Sequence, residues 1–393
     1  MDTNSPEPTK SLERIGSPEP IKILEPIKSS EPTESPKTMK TSKPQYPYAE
    51  PPNIGEPIKV AKGVYWLRMP LPFKLDHINL WLLKEDDGWT VVDTGLATDE
   101  TTDIWERLYK KITVLKPIKR LIATHMHPDH IGLAAWLCRR GSSTQDNSSP
   151  PFPETELWMS RSEYMYCRIL LEDSNKEAPD VAVKFYQAAG FDEKQLNYYR
   201  SKFDAFGSMI RGMPNSYHRL QGGDTFTING HQWQIVMGEG HSPEHACLWC
   251  PELELFISGD QLLPTISSNV SVWPIEPLNN PLEDWIASCK KLQVLLPKNT
   301  LVLPSHGLPF RGAKQRLNKL IDDHEKDLQT IYTSCETPKR VVDLFSLIFK
   351  SKISHSTLVF AAGESYAHLN CLIERGMITM TKDKNGVNWY QQK

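Results

Sequence analysis

Short runs of β-branched and aromatic residues, separated by turn residues, begin near Ile58. The runs VYWLRMPL, INLWLL, WTVVDTG and RLIATH have the length and composition of buried strands. Between and after them, TDIWERLYKKI and IGLAAWLCRR place apolar residues at helical spacing. Strands and helices that mix within one unit predict an α/β fold.

A second group of strand-like runs follows a long helical stretch. Helical segments such as SEYMYCRILLED and VAVKFYQAAG predict a helical insertion over about residues 154–212. Strand-like runs then return as HQWQIVMG, ACLWC, ELFISGD and TLVLPSHG. The polar residues 142–153 predict a loop. We therefore expect one core domain over residues 56–312 that carries this insertion.

The two ends of the chain differ from this core. Residues 1–55 repeat variants of SPEP and EPIK, and twelve of the chain's 31 prolines lie at or before residue 57. Such a segment buries too little apolar surface to offset its ordering entropy, which predicts a disordered tail. Its Ser-Pro pairs leave a docking or phosphorylated tail as the alternative. Over residues 313–393, a long helix, two further helices and a hairpin with an Asn-Gly turn predict a helical linker and a small winged-helix unit.

Composition narrows the class of protein only slightly. Hydrophobic residues make up 39% of the chain and charged residues 24%. The formal net charge of -3 indicates neither a basic nucleic-acid-binding protein nor an acidic tail. Seven scattered cysteines are too few for a disulfide scaffold, and no run approaches the roughly 20 apolar residues of a membrane-spanning helix. The first residues have no secretory-signal pattern, so we expect a soluble, cytoplasmic protein with no membrane partner.

Candidate chemistry is concentrated in residues 125–130, HMHPDH. His125 and His127 are two positions apart in an extended segment and project to the same side, so both can reach one ion. Pro128 prevents an earlier helix start, and Asp129 is a good N-cap for the helix that follows, so the chain should turn here. Asp129 and His130 could then face a second ion.

Two imidazoles leave a metal under-coordinated, so other parts of the chain must supply further ligands. His241, Asp260 and His306 each follow or end a predicted strand. Together with the first run they offer five imidazoles and two carboxylates, enough for a site with two divalent metal ions. Nitrogen and oxygen ligands of this mix suit zinc and also tolerate iron or manganese.

Five motifs in this order resemble those of the metallo-β-lactamase-fold hydrolases, and they are VVDTG at Asp93, THMHPDH at residues 124–130, GHSPEH at His241, SGD at Asp260 and PSHG at His306. The resemblance covers roughly residues 58–312 and implies an αββα sandwich with the site on one edge. It also implies a role for each ligand: one metal on His125, His127 and His241, a second on Asp129, His130 and His306, and Asp260 bridging both. Asp93 is expected to orient these ligands, with a turn-forming role before Gly95 as the alternative.

Three further residues are candidates for supporting a ligand or touching substrate. His245 follows His241 by four positions, and Asn269 and Trp273 lie in the polar-aromatic run after Asp260. Ordinary packing is the alternative for each. Cys247 and Cys250 form a C-x-x-C, but on a strand they point to opposite faces, so we predict core cysteines. The other histidines have no partner spacing and are expected to be structural or exposed, namely His77, His218, His231, His324, His355 and His368.

Two cations bridged by one water lower its pKa toward neutrality and generate a hydroxide nucleophile. The predicted function is therefore a dinuclear metal-dependent hydrolase that uses a metal-bridging hydroxide, with Asp129 as the catalytic residue that shuttles its proton. A small acyl substrate, either a thioester or a lactone, is favoured by similarity to glyoxalase II. The helical glutathione-binding region of that enzyme has no counterpart here, so a glutathione thioester is disfavoured.

Other activities stay open. A phosphodiesterase or ribonuclease would use the same metals, and a persulfide dioxygenase of this fold would use one iron; a metal-free binding module is the alternative outside enzymes. The C-terminal unit resembles the winged helix of lactamase-β-like ribonucleases. Its second helix, within GESYAHLNCLIERG, has one Arg against two Glu, which disfavours nucleic acid as a partner and favours packing against the hydrolase domain or another subunit. A β-lactamase is disfavoured because its best-known zinc class has Cys where Asp260 stands.

Overall fold

The computed structural model describes residues 44–112, 116–140, 155–174 and 176–393. Residues 1–43 of the predicted tail and the predicted loop at 142–153 lie outside these ranges. Residues 44–55, which their prolines assigned to the tail, instead lie against the folded core. Gln45 pairs with Arg311, and Tyr48 packs edge-on against Trp66. The Tyr48 ring supplies apolar surface for this packing, which the high proline content of the segment did not indicate.

The first sheet has seven strands in chain order, namely β1 (Ile58–Ala61), β2 (Val64–Pro70), β3 (His77–Lys84), β4 (Trp89–Val92), β5 (Ile118–Ile122), β6 (Glu156–Ser160) and β7 (His218–Leu220). β1 to β4 are antiparallel neighbours, and β4 to β7 are parallel. Parallel neighbours need crossover connections. These contain α1 (Asp99–Ile112) before β5, then α2 (Pro128–Ile131) and α3 (Ala134–Arg140) before β6. The carboxyl ends of β4 and β5 therefore meet at one edge.

The second sheet has five strands, β8 (Thr225–Ile228), β9 (His231–Gly238), β10 (His245–Cys250), β11 (Leu255–Gly259) and β12 (Leu301–Pro304). Neighbouring strands are antiparallel except β11 and β12, which are parallel and connected through α8 (Pro281–Leu295). Between β6 and β7, the described part of the predicted insertion contains α4 (Arg161–Glu172), α5 (Asp180–Ala188), α6 (Glu193–Arg200) and α7 (Ala205–Ser208). The predicted insertion began too early, because residues 156–160 form β6 of the core sheet.

Buried apolar side chains form three clusters that fix the layer order. One lies between the sheets and includes Trp66 and Trp81 from the first sheet and Trp233 from the second. The others pack helices onto the two outer faces, as Trp105 of α1 and Trp285 of α8 show. This is the predicted αββα sandwich. The two cysteines of the C-x-x-C are buried in different clusters, which confirms that they face opposite sides of β10.

The C-terminal part consists of α9 (Ala313–Ser334), a 3₁₀ turn (Val341–Leu344) that continues into α10 (Phe345–Ile348), a second 3₁₀ turn (His355–Thr357), α11 (Leu358–Glu374) and the hairpin β13 (Ile378–Lys382) and β14 (Asn388–Gln392). The first of the two further helices predicted from the sequence, in the run PKRVVDLFSLIF, is thus a turn with a short helix. α11 packs on the rest of the chain: Tyr366 donates a hydrogen bond to the carbonyl of Phe185, and Asn370 donates to that of Asn279. No helix in the described ranges is long and apolar enough to cross a membrane.

Candidate metal centre

The seven predicted ligands come from four connections at strand ends. His125 and His127 follow β5, and Asp129 and His130 lie in α2. The other three follow strands of the second sheet: His241 comes after β9, Asp260 directly after β11 and His306 after β12.

One local prediction was wrong. The N-cap of α2 is His127, and Asp129 lies inside the helix. Pro128 takes the first helical position, where its missing N–H costs no hydrogen bond. The chain still turns at this point, and the Asp129 side chain is left available to the site instead of capping the helix.

The first group of converging atoms belongs to His125, His127, His241 and Asp260. The Nε2 atom of His125 lies 2.8 Å from Nδ1 of His127 and 3.3 Å from Nε2 of His241. Burial and the neighbouring His241 lower the pKa of His127 to about 3. Burial also lowers the pKa of His125 well below its usual value, so His125 and His127 are neutral, the form in which imidazole binds a metal.

The second group consists of Asp129, His130 and His306. The Nε2 atom of His306 lies 3.4 Å from Oδ2 of Asp129, and that of His130 lies 3.6 Å from the same oxygen. Burial raises the pKa of Asp129, but His130 and His306 outweigh it and hold the value at about 2. Asp129 is therefore an ionised carboxylate at neutral pH.

Asp260 lies between the two groups and presents one oxygen to each. Its Oδ2 atom is 3.4 Å from Nε2 of His241, and its Oδ1 atom is 3.4 Å from Nε2 of His306. Within the described chain, Asp260 Oδ1 and His130 Nε2 are buried polar atoms without a hydrogen-bond partner. Such atoms are rare in folded proteins unless water or an ion satisfies them. These two atoms face the second group, which thus fits a cation, and the converging donor atoms of the first group fit another, with Asp260 between them.

The other ring nitrogen of four of the histidines is held by a hydrogen bond. His130 Nδ1 donates to Oδ2 of Asp93 at 2.8 Å, and His125 Nδ1 lies 3.0 Å from the Thr124 hydroxyl. His241 and His306 use backbone carbonyls, those of Asn269 at 2.7 Å and His77 at 2.8 Å. Each bond fixes the tautomer and turns the free nitrogen toward the centre.

Asp93 combines a turn conformation with hydrogen bonds toward the predicted ligands. It adopts the left-handed conformation, with φ of 64°, at the turn before Gly95. Its Oδ1 accepts the backbone N–H of Thr124 at 2.8 Å, and its Oδ2 accepts the Thr124 hydroxyl at 2.9 Å as well as His130. The turn places the carboxylate where it orients one ligand directly and another through Thr124.

The three supporting candidates differ in what they contact. His245 is fully buried, stacks on His125 at 4.7 Å between ring centroids, and accepts the backbone N–H of Asp260 at Nε2. It supports ligands rather than facing a cleft. Asn269 acts on His241 through its carbonyl, and its side chain donates to Glu364. Trp273 lines a cleft beside His241.

Two supporting residues gave no signal in the sequence. His77, which was expected to be structural or exposed, accepts the backbone N–H of Gly307 at Nε2 and holds His306 through its carbonyl. Glu163 of α4 accepts the N–H of Met126 at 3.0 Å and that of Glu244 at 2.9 Å, and so ties together two of the histidine-bearing loops. Both contacts join residues far apart in the chain, which no local spacing could have revealed.

A cleft of about 270 Å³ opens beside His241. Met126, Tyr166, Trp273 and Ile275 supply much of its apolar lining, and the charged residues that line it are Glu239, Glu276 and Asp284. No Lys or Arg occurs among the described residues of this lining. Burial and the nearby Glu239 raise the pKa of Asp284. The cleft therefore has an apolar wall and an acidic side.

Comparison with known proteins identifies the family. Residues 74–168 match the model of the Metallo-beta-lactamase superfamily, and residues 328–393 match that of the Metallo-beta-lactamase-like, C-terminal domain. The crystal structure of a beta-lactamase domain protein from Burkholderia ambifaria is 36% identical with a TM-score of 0.80, over 89% of this chain and 98% of that one. The chain belongs to the metallo-β-lactamase superfamily.

Two further proteins to which the chain is similar have more specific names. The probable metallo-hydrolase YqjP of Bacillus subtilis (strain 168) is 24% identical over 343 residues, which is 85% of this chain and 99% of that protein. The acyl-coenzyme A thioesterase MBLAC2 of Homo sapiens is 22% identical over 274 residues, 67% of this chain and 85% of that protein. Together with the superfamily match, these relatives show that the chain is a metallo-hydrolase, as its motifs predicted.

Proposed function

We propose that this metallo-hydrolase is a dinuclear enzyme that hydrolyses small acyl substrates, with acyl thioesters as the preferred class. The observation that carries the dinuclear part is the position of Asp260, whose two oxygens point to two separate groups of ligands. A site for one ion would leave Asp129, His130 and His306 without a common partner.

His125, His127 and His241 would hold one ion and Asp129, His130 and His306 the other, with Asp260 bridging; zinc suits this set best. Two cations in such a site supply a water of lowered pKa and a Lewis acid for a carbonyl oxygen. Asp129 is the carboxylate suited to pass a proton to solvent, because its side chain is 21% exposed against 11% for Asp260. Trp273 and Tyr166 provide apolar surface for an acyl chain.

The cleft supports an acyl substrate over a phosphodiester. Its acidic side repels a chain of phosphates, whereas its apolar wall suits an uncharged acyl group. The similarity to an acyl-coenzyme A thioesterase supports the thioester, provided that the phosphates of a coenzyme A ester stay outside the cleft. An acyl thioester of N-acetylcysteamine should therefore be hydrolysed at least as well as the coenzyme A ester with the same acyl group.

Metal analysis combined with a substrate panel tests this function. We expect two metal ions per chain and turnover of thioesters above that of lactones, phosphodiesters and single-stranded RNA. His127→Ala and Asp260→Ala should lose metal and reduce kcat/KM by more than the ~10–100-fold typical of altered outer hydrogen bonds. His231→Ala and Asp87→Ala, which change a half-buried histidine and an exposed aspartate that belong to neither ligand group, are the matched controls.

Two results would refute the proposal. One iron per chain with oxygen consumption on a persulfide would replace it with a dioxygenase. Two metals per chain with turnover of phosphodiesters alone would keep the dinuclear centre and replace the substrate class.

A further inference from the structure

The loop at residues 268–273 lies between the metal centre and α11. On one side, His241 donates from Nδ1 to the carbonyl of Asn269 at 2.7 Å. The direction of the His241 Nε2 atom therefore depends on where this carbonyl stands. On the other side, the loop contacts α11 through three successive residues and through the Asn269 side chain.

The first of these contacts is a chain of polar groups. The Asn269 side chain donates from Nδ2 to Oε2 of Glu364 at 3.0 Å, and its own oxygen accepts the Ser271 hydroxyl at 2.6 Å. Both ends of the amide are thus engaged, which fixes its orientation. Because Asn269 holds His241 through its backbone, an anchored side chain restricts the carbonyl as well.

The backbone of the loop also lies directly on α11. Val272 donates its N–H to the carbonyl of Gly363 at 3.1 Å. A Cβ atom at Gly363 would stand 2.7 Å from that of Ser271, so only glycine allows this approach. Trp273, which lines the cleft, packs edge-on against Phe360 at 5.7 Å between ring centroids. α11 therefore contacts the loop at Asn269 and along Ser271 to Trp273.

We propose that α11 completes the metal centre, and that Glu364 is a positioning residue that fixes His241 through Asn269. This inference rests on the proposed function only in taking His241 as a metal ligand. It gives the C-terminal part a role in the hydrolase site itself. Glu364 contacts neither the metal groups nor the cleft, so its effect must pass through the Asn269 carbonyl.

Two substitutions at Glu364 separate its hydrogen bond from its volume. Glu364→Leu removes the acceptor for the Asn269 amide, whereas Glu364→Gln retains an oxygen in the same place. Zinc affinity, measured by competition with a chromophoric chelator, should fall about tenfold in the leucine variant, at the lower end of what outer hydrogen bonds contribute. The glutamine variant should stay close to the unaltered protein.

Tyr366→Phe is the matched control on the same helix. It removes a hydrogen bond from Tyr366 to the carbonyl of Phe185, on the side of α11 that faces α5. We expect it to lower the unfolding temperature without changing zinc affinity. Asn269→Ala should weaken zinc binding as Glu364→Leu does, and the double variant should be no weaker than either alone, because both remove the same link.

Three results would overturn the inference. These are unchanged zinc affinity in Glu364→Leu, equal weakening in Tyr366→Phe, and additive effects in the double variant. If Glu364→Leu fails to fold, unchanged affinity in Asn269→Ala has the same meaning. If the unaltered protein binds zinc but hydrolyses no thioester, the proposed function fails while the comparison of affinities still decides the role of Glu364. If it binds no divalent metal, both proposals fail.

Discussion

Asp93 joins backbone conformation to ligand orientation in one residue. Asparagine and aspartate tolerate the left-handed region better than other residues with side chains, which suits a φ of 64°. Only aspartate also offers two acceptor oxygens, and here they receive three donors from Thr124 and His130. The conformation and the hydrogen bonds therefore select the same residue for different reasons.

Asp93→Asn separates these two requirements. Asparagine keeps the backbone conformation but has one acceptor oxygen, so at least one of the three donors loses its partner. We expect metal affinity to fall about 10–100-fold and the free energy of unfolding to fall by about 1–3 kcal/mol. Chelator competition and urea unfolding would measure the two effects. If Asp93 only formed the turn, Asp93→Gly would bind metal normally, because glycine relieves the left-handed conformation at no steric cost.

At the scale of elements, strands and their ends were well predicted from the sequence. Runs of β-branched and aromatic residues bounded by turn residues marked β2, β3, β9 and β11, and the ligands follow strands because strand ends meet at one edge. β6 was missed because its five residues adjoin a helical pattern, and β1, β7 and β8 were missed because runs of three or four residues are too short to show a strand pattern. The supports at His77, Glu163 and Glu364 were missed because each bonds to a distant part of the chain.

The contact between α11 and the 268–273 loop gives a prediction at this scale. Alanine is favoured over glycine inside a helix by about 1 kcal/mol, so Gly363→Ala should stabilise an isolated α11. In the protein, the new Cβ atom would collide with Ser271 at 2.7 Å and approach the Val272 carbonyl at 3.0 Å. We expect the collision to outweigh the propensity, with a net loss of about 1–3 kcal/mol in urea unfolding and weaker zinc binding.

Gly222→Ala is the matched control for this change. Its added Cβ atom would first meet Cγ of the flexible Met237 side chain, at 3.3 Å. Zinc affinity should be unchanged there. A stabilised Gly363→Ala variant with normal zinc affinity would contradict the tight contact.

At the scale of the whole molecule, one apolar cluster joins the second sheet to the C-terminal part. It runs from Tyr186 and Trp249 through Trp285 to Tyr366 of α11 and Tyr390 of β14. The sequence predicted a separate small unit whose second helix packs against the hydrolase domain or another subunit, but it did not indicate which residues that helix contacts. The shared core explains why α11 can influence a site formed by strands of the other part.

This joint core contains His324 of α9 and His368 of α11, whose rings lie 5.6 Å apart. Both are buried, and within the described residues His324 Nδ1 and His368 Nε2 have no hydrogen-bond partner. Burial lowers the pKa of each imidazole from 6.5 to about 4, and His324 adds to the shift at His368. Both rings are therefore neutral in the folded protein at neutral pH.

These depressed pKa values predict a loss of stability in mild acid. An unfolded chain takes up a proton on each imidazole near pH 6.5, whereas the folded protein does so only near pH 4. The contribution of each ring to stability is therefore complete above pH 6.5 and declines as the pH falls toward 4, by about 3 kcal/mol.

Replacing His368 with leucine removes one such group and tests this pH dependence. The difference in free energy of unfolding between His368→Leu and the unaltered protein should therefore rise by about 3 kcal/mol as the pH is lowered from 7 to 4. Taking the difference between the two proteins cancels the acid release of metal, which both share. Parallel curves for the two proteins would show that His368 is protonated in the folded state and that the joint core admits its charge.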